Sequence, residues 1–253
     1  MKKKLLLIAT ICLFAQNVHA AIEVSGNRII DSSTNQPIGN ARVTLPKYNY
    51  STYTDSDGRF DLGGRGVDGA TIMSVEKQGY RPFSLTINND NIASKPLVLG
   101  IEKSDISDIV IESSMMHLGD DNYSKASANA GNFRLNAIGP SFSKSFVMGT
   151  ASLTSQNYLV VGSILGVDTL LARSMGQNKI VNSYASPPEV YFNGVKIAEI
   201  QLNGDNQKIK LPNNLIRAER SNEVTIKAGR NLMQTAYLDY DDIEIANLSI
   251  VSE

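Results

Sequence analysis

From residue 22 onward the chain is a series of short runs in which apolar and polar positions alternate with a period of two, the pattern of strands that bury one face. In residues 40–45, Ala41, Val43 and Leu45 share one side, and Ile72 and Val75 anchor 70–77. Residues 22–26, 28–31, 50–54, 59–62, 83–87 and 97–99 complete a first set. The second half repeats the pattern at 109–112, 133–138, 143–150, 151–154, 157–165, 207–211, 222–227 and 242–251. Residues 189–200 predict a hairpin, two alternating strands joined by Asn193-Gly194, the favoured two-residue turn. Asp55-Ser56-Asp57-Gly58 predicts a second tight hairpin between 50–54 and 59–62, and Leu215 to Arg220 a single helical turn. No long segment has a 3.6-residue period. The expected architecture is therefore all-β, with two β-sandwiches in series.

The start of the chain departs from this pattern. Lys2-Lys3-Lys4, a short apolar run to Phe14 and Val18-His19-Ala20 have the three parts of a secretory signal peptide, with cleavage expected after Ala20. The apolar run is too short for a bilayer, which needs roughly 20 residues. Cys12 is the one cysteine and falls inside this segment, so the mature chain is expected to lack disulfides and cysteine chemistry. Export without disulfides points to a bacterial periplasm or exterior. The expected divisions are a signal peptide at 1–20, a first sandwich at 21–101, a polar connector at 102–108 and a second sandwich at 109–253.

Charge excludes some partners. Acidic and basic residues nearly balance, for a net charge of -1, without blocks of like sign. No electrostatic footprint for nucleic acid or an anionic membrane is visible. No second long apolar run follows the leader, so no transmembrane segment is expected once it is removed.

In the first half, Gly26, the Pro37-Ile38 to Val43 strand, Thr54-Asp55-Ser56-Asp57-Gly58-Arg59-Phe60 and Gly79-Tyr80 occur in an order that resembles the carboxypeptidase regulatory-like domain. The resemblance implies a transthyretin-like sandwich that serves as an accessory module, without catalytic residues of its own. Asp55-Ser56-Asp57-Gly58 also begins like an EF-hand loop, but Gly66 stands where the twelfth-position Glu belongs, so a turn is the expectation.

Catalytic chemistry has few candidates. Of two histidines, His19 belongs to the leader, leaving His117, which has no Gly-x-Ser-x-Gly elbow or zinc-type partners and is read as structural or surface. The densest acidic group is Asp239-Tyr240-Asp241-Asp242 with Glu244. Strand alternation puts Asp242 and Glu244 on one face, and the group reads either as a hard-cation site or as a solvated acidic sheet edge.

The order Val190-Tyr191-Phe192-Asn193-Gly194, Asn222 to Gly229, and Tyr237 to Ile250 resembles the galactose-binding-like jelly roll of carbohydrate-binding modules. That resemblance implies a structural calcium held by Asp242 late in the chain and Glu112 early, and sugar recognition in loops containing Tyr123, Asn231 and Tyr237. Trp, the commonest sugar-stacking residue, is absent, and tyrosine is an alternative platform as well as an ordinary strand residue. The expectation is an exported, non-enzymatic protein that binds a glycan or a glycan-bearing cell surface through its second sandwich. Alternatives are a structural or adhesion component with protein partners and, third, a carboxylate-dependent glycan-cleaving enzyme.

Overall fold

Four β-sheets carry the fold of the computed structural model, which describes residues 26–64, 66–124, 127, 133–179 and 184–253. The expected leader at 1–20, including Cys12, lies outside these residues, as do 22–25 of the first expected strand.

In the first half, β1 (Asn27–Asp31) lies between β4 (Arg59–Phe60), antiparallel to it, and β7 (Val98–Ile101), parallel to it. The facing sheet runs β3 (Tyr50–Tyr53), β2 (Arg42–Leu45), β5 (Thr71–Glu76), β6 (Phe83–Ile87), all antiparallel. Ile29, Val43, Leu45, Met73, Val75, Ile87 and Ile101 form the core between them, each almost wholly buried. Each such side chain withdrawn from water stabilises the fold by roughly 1.5–3 kcal/mol before entropy is counted.

The predicted hairpin at Asp55–Gly58 forms its turn but not its pairing. Gly58 takes positive φ (72°), its N–H donates to Asp55 O at 3.0 Å, and Asp55 Oδ1 accepts from the N–H groups of Asp57 and Arg59. The flanking strands then diverge, β3 to one sheet and β4 to the other, so the turn is a corner of the sandwich. A Cβ on Gly58 would stand 2.4 Å from Ile29 O, so the corner is also tightly packed.

The second half pairs β10 (Ser141–Val147), β15 (Ser221–Lys227), β12 (Glu189–Phe192) and β13 (Val195–Glu199) in one sheet. The other sheet runs β14 (Gly204–Lys210), β11 (Asn157–Leu165), β16 (Ile243–Ser252), β8 (Ile109–Glu112), and β9 (Met116–Leu118) also pairs with β16. Leu118, Leu159, Val161, Phe192, Val224, Ile226, Ile245 and Ile250 are among the core residues between these sheets. The Asn193-Gly194 hairpin forms as expected, both residues at positive φ (51° and 82°).

Three local expectations fail. Residues 133–138 are irregular rather than a strand, Thr150–Leu153 is a 3-10 turn, and the helical turn expected at Leu215 to Arg220 falls at Asn213–Leu215. Short helices α1 (Asn89–Ser94) and α2 (Leu170–Ser174) and a 3-10 turn at Pro46–Tyr48 lie between the strands. Among the described residues no helix is long and apolar enough to cross a membrane.

The sheet containing β5 and β6 also packs its outer face on β11 and β16. Ile72 and Met115 join Leu165 and Ala246 in a small apolar cluster drawn from both halves. A Cβ on Gly162 would stand 2.6 Å from Ser84 Oγ and 2.7 Å from Asn247 Cβ, so glycine permits this close approach. Asp205 Oδ1 fastens the layers by accepting from Thr86 N (3.0 Å), Thr86 Oγ1 (2.8 Å) and Ser163 Oγ (2.6 Å). The polar connector is tied down too, with Arg81 Nε 2.7 Å from Asp108 Oδ2 and its Nη1 2.6 Å from Glu102 Oε2.

Candidate functional site

At the end of the second sandwich where β16 begins, four chain segments lie side by side. Thr169 bridges to Ala185, Ala185 to Asn231, and Asn231 N donates to Asp239 O at 2.9 Å. Thr169 also caps α2, its hydroxyl accepting from Ala172 N. The loop after β9, carrying Asn122 and Tyr123, closes the arrangement around a pocket of about 310 Å³.

Four aspartates line that pocket: Asp168, Asp239, Asp241 and Asp242. Asp239 is held on both oxygens, by Asn122 Nδ2 at 2.7 Å and Asn231 Nδ2 at 2.8 Å. Asp241 Oδ2 accepts from Asp168 N at 3.1 Å, and Ser127 Oγ donates to Asp168 Oδ2. Burial pushes the Asp241 carboxyl well above the usual carboxylate range, and the neighbouring Asp168 charge pushes it the same way.

Asp242 faces away from Asp241, toward His117. Its Oδ1 lies 2.7 Å from His117 Nε2 and accepts from Asp121 N at 2.9 Å, and its buried Oδ2 has no hydrogen-bond partner among the described residues. His117 Nδ1 donates to Leu135 O at 2.6 Å. Burial works against the charged imidazole, but the Asp242 carboxylate, the Leu135 carbonyl and the Glu244 charge outweigh it, so the His117 pKa is raised. Glu244 sits opposite His117 in the strand register, wholly buried. Burial raises its pKa, while Lys47 from the first half and His117 pull it back.

The sequence-derived candidates separate into two groups. Tyr123 and Asn231 line the pocket, and Tyr237 stands at its edge with its hydroxyl 3.5 Å from Asn122 Nδ2. Tyr123 is a fixed wall, its OH donating to Phe133 O at 2.9 Å and its ring edge-on to Phe133, whereas Tyr237 is 58% exposed. Glu112 and Asp242, the expected calcium pair, are not brought together. Glu112 pairs with Leu248, six positions along β16 from Asp242 and so about 20 Å away at strand rise. Its carboxylate instead faces Lys144 at 3.7 Å and accepts from Ser114 N.

The reading of Asp239 to Glu244 as a solvated sheet edge is also corrected. β16 lies inside its sheet between β11 and β8, and Asp239, Asp241, Asp242 and Glu244 are all at most 8% exposed. Among the described residues the one convergence of donors close enough for a metal is His117, Asp121 and Asp242. These do not fit a shared ion, because Asp242 approaches Nε2 and Asp121 lies 3.6 Å from Nδ1, on opposite sides of one ring whose Nδ1 already donates to a carbonyl. His117 and Asp242 form a buried ion pair, with exposed Asp121 at its edge.

Asp168 and Tyr184 escaped the sequence reading, and Tyr240 entered it only as a member of the acidic group, since the place of each at the pocket depends on the bridges described above. No protein-family model matches the chain, and no curated protein is significantly similar to it.

Proposed function

We propose that this is an exported, non-enzymatic binding protein whose second half recognises carbohydrate in the pocket at the start of β16. The observation that carries the reading is the assembly of Tyr123 and Asn231, more than a hundred residues apart in sequence, in one concave site with Tyr237 at its edge. Carboxylates, side-chain amides and tyrosines are the groups that grip sugar hydroxyls and cover the apolar faces of sugar rings. The expected partner is a glycan or a glycan-bearing surface, and the first half is the support that carries the site.

Screening of immobilised protein against a glycan array tests this. Binding to a defined set of glycans is expected, with Tyr237→Ala weakening it by about tenfold through loss of an aromatic platform, and Tyr237→Phe retaining most of it. Blank arrays for the wild-type protein would refute the proposal.

A second reading is favoured by one observation. Leu170 and Leu171 on α2 and Leu232, Met233 and Leu238 on the adjacent loop are each between 44% and 61% exposed beside the pocket. Exposed apolar side chains on adjoining segments suit a protein partner, as in an adhesion component. Capture of a protein partner by a chain with no glycan affinity would decide for it.

A further inference from the structure

The pocket at the start of β16 adjoins a second cavity built from the same segments. Ala185 of the pocket runs on into Ser186, Asn231 leads back through Arg230 to Lys227 at the end of β15, and Tyr240 lines both cavities. With Ser141 at the start of β10 they border a cleft of about 370 Å³, a size within the range of ligand sites. The frame of the cleft is fixed. Ser186 N donates to Arg230 O at 2.8 Å, Ser186 Oγ accepts from Arg230 N at 2.9 Å, and Arg230 bridges to Tyr240. A Cβ on Gly229 would stand 1.8 Å from Ser186 O, so glycine permits the approach of these segments.

The cleft presents two cations, Lys227 and Arg230, and neither is ion-paired among the described residues. Lys227 Nζ stands 4.4 Å from the Tyr191 ring centroid, a contact that steadies the ammonium without neutralising it. The one acid lining the cleft, Glu189, is already engaged. Lys196 Nζ donates to its Oε1 at 2.6 Å and Tyr191 OH to its Oε2 at 2.7 Å. These two bonds hold its carboxyl below the ordinary range, with the Lys227 charge a lesser contribution. Even with Glu199, which shares Lys196, the cations Lys196, Lys227 and Arg230 outnumber the carboxylates.

A guanidinium offers paired N–H groups that match a planar carboxylate, and an ammonium beside it adds a second charge. The hydroxyls of Ser141, Ser186 and Tyr240 border the same space and suit the hydroxyls of a sugar ring. Neighbouring residues of an extended segment are about 3.3 Å apart. Cavities lined by Ala185 and by Ser186 are therefore within reach of adjoining units of one oligosaccharide.

We infer that the cleft is an acid subsite, so that the protein selects glycans in which a uronate unit adjoins the neutral sugar in the pocket; this rests on the carbohydrate-binding reading above. Calorimetric titration of the full chain tests it, with a tetrasaccharide alternating glucuronate and N-acetylglucosamine and with the same tetrasaccharide after reduction of its carboxylates to alcohols. The acidic form is expected to bind about fivefold or more tightly at low salt, as two exposed ion pairs allow, with the difference shrinking as salt is added. Arg230→Gln and Lys227→Gln are each expected to narrow the difference, and the double variant to bring the acidic form to the affinity of the reduced one. Both side chains belong to exposed residues, so the melting temperature is expected to stay near that of wild type. The single variants carry the test if the double variant does not fold.

Equal affinity of wild-type protein for the two forms would overturn this inference and leave the carbohydrate reading standing. So would a preference for the acidic form that survives in the variants, because its charge would then be read elsewhere. Failure of both tetrasaccharides to bind would overturn the inference, while the glycan array decides the carbohydrate reading separately. Binding of a glutamate-rich peptide by a chain that binds no glycan would overturn both.

Discussion

His117 has acquired partners on both ring nitrogens that suit its charged form, Asp242 at Nε2 and the Leu135 carbonyl at Nδ1. Its folded pKa is raised, so its stabilising contribution is complete below the unfolded value of about 6.5 and is lost as pH rises through the folded value. Asp121, Glu244 and Tyr123 also face the ring region, and Glu244, itself shifted upward, loses stability with rising pH in the same sense. In urea denaturation the stability advantage of wild type over His117→Gln is expected to be largest near pH 6 and to shrink by pH 9. A constant difference would show that folding leaves the proton affinity of the ring unchanged. Behind it, Gly119 has φ of 150°, and an added Cβ would stand 2.3 Å from Asp242 Oδ1. Gly119→Ala is therefore expected to cost about 2 kcal/mol or more by the same assay. The burial of His117 was in keeping with its lack of catalytic partners in the sequence. Its partners were not legible, because Asp242 reaches it beside the pairing of β9 with β16 and Leu135 through loop packing, both remote in sequence.

Strands β5 and β16 show how much of an element its own pattern reveals. Met73 and Val75 mark one face of β5 as core, while Ile72 on the other face is equally buried because a second sheet lies against it. Along β16, Ile243, Ile245, Leu248 and Ile250 fill one core although Asn247 interrupts strict alternation. Asn247 takes φ of 56°, just before the register shift against β8 at Leu248 and Ser249. Asp205→Ala would remove the acceptor shared by Thr86 and Ser163 and is expected to destabilise the protein by about 1–3 kcal/mol. Chemical denaturation checks this, with Lys210→Ala on the same strand as a near-neutral control. The Asn193-Gly194 hairpin was legible because its turn and register are local. The Asp55–Gly58 corner was legible as a turn only, since the partners of β3 and β4 are remote in sequence.

At the scale of the whole molecule, the two halves share the Ile72, Met115, Leu165 and Ala246 cluster, the Asp205 hydrogen bonds and the buried approach of Lys47 to Glu244. Separating them would leave the Glu244 side chain, which has no hydrogen-bond partner among the described residues, without the Lys47 charge that offsets its burial. A single cooperative calorimetric transition is expected for the full chain, and Gly162→Val, which wedges the sheets apart, is expected to lower its midpoint or split it. Chelation should leave the melting temperature unchanged, because Glu112 and Asp242 are far apart and the His117 group is paired without an ion. A fall in melting temperature with EDTA would refute that assignment.

Alternation, turn residues and the absence of helical periodicity determined by themselves that this chain is all-β, since each is a local property of a few neighbouring residues. They also put Tyr123, Asn231 and Tyr237 in loops. Tertiary structure alone decided that these loops meet over four aspartates, that Glu112 is excluded from the site, and that the acidic stretch before β16 is buried. The physical reason is that strand pairing sets contacts between residues distant in sequence, and burial of a charge depends on what those contacts place around it.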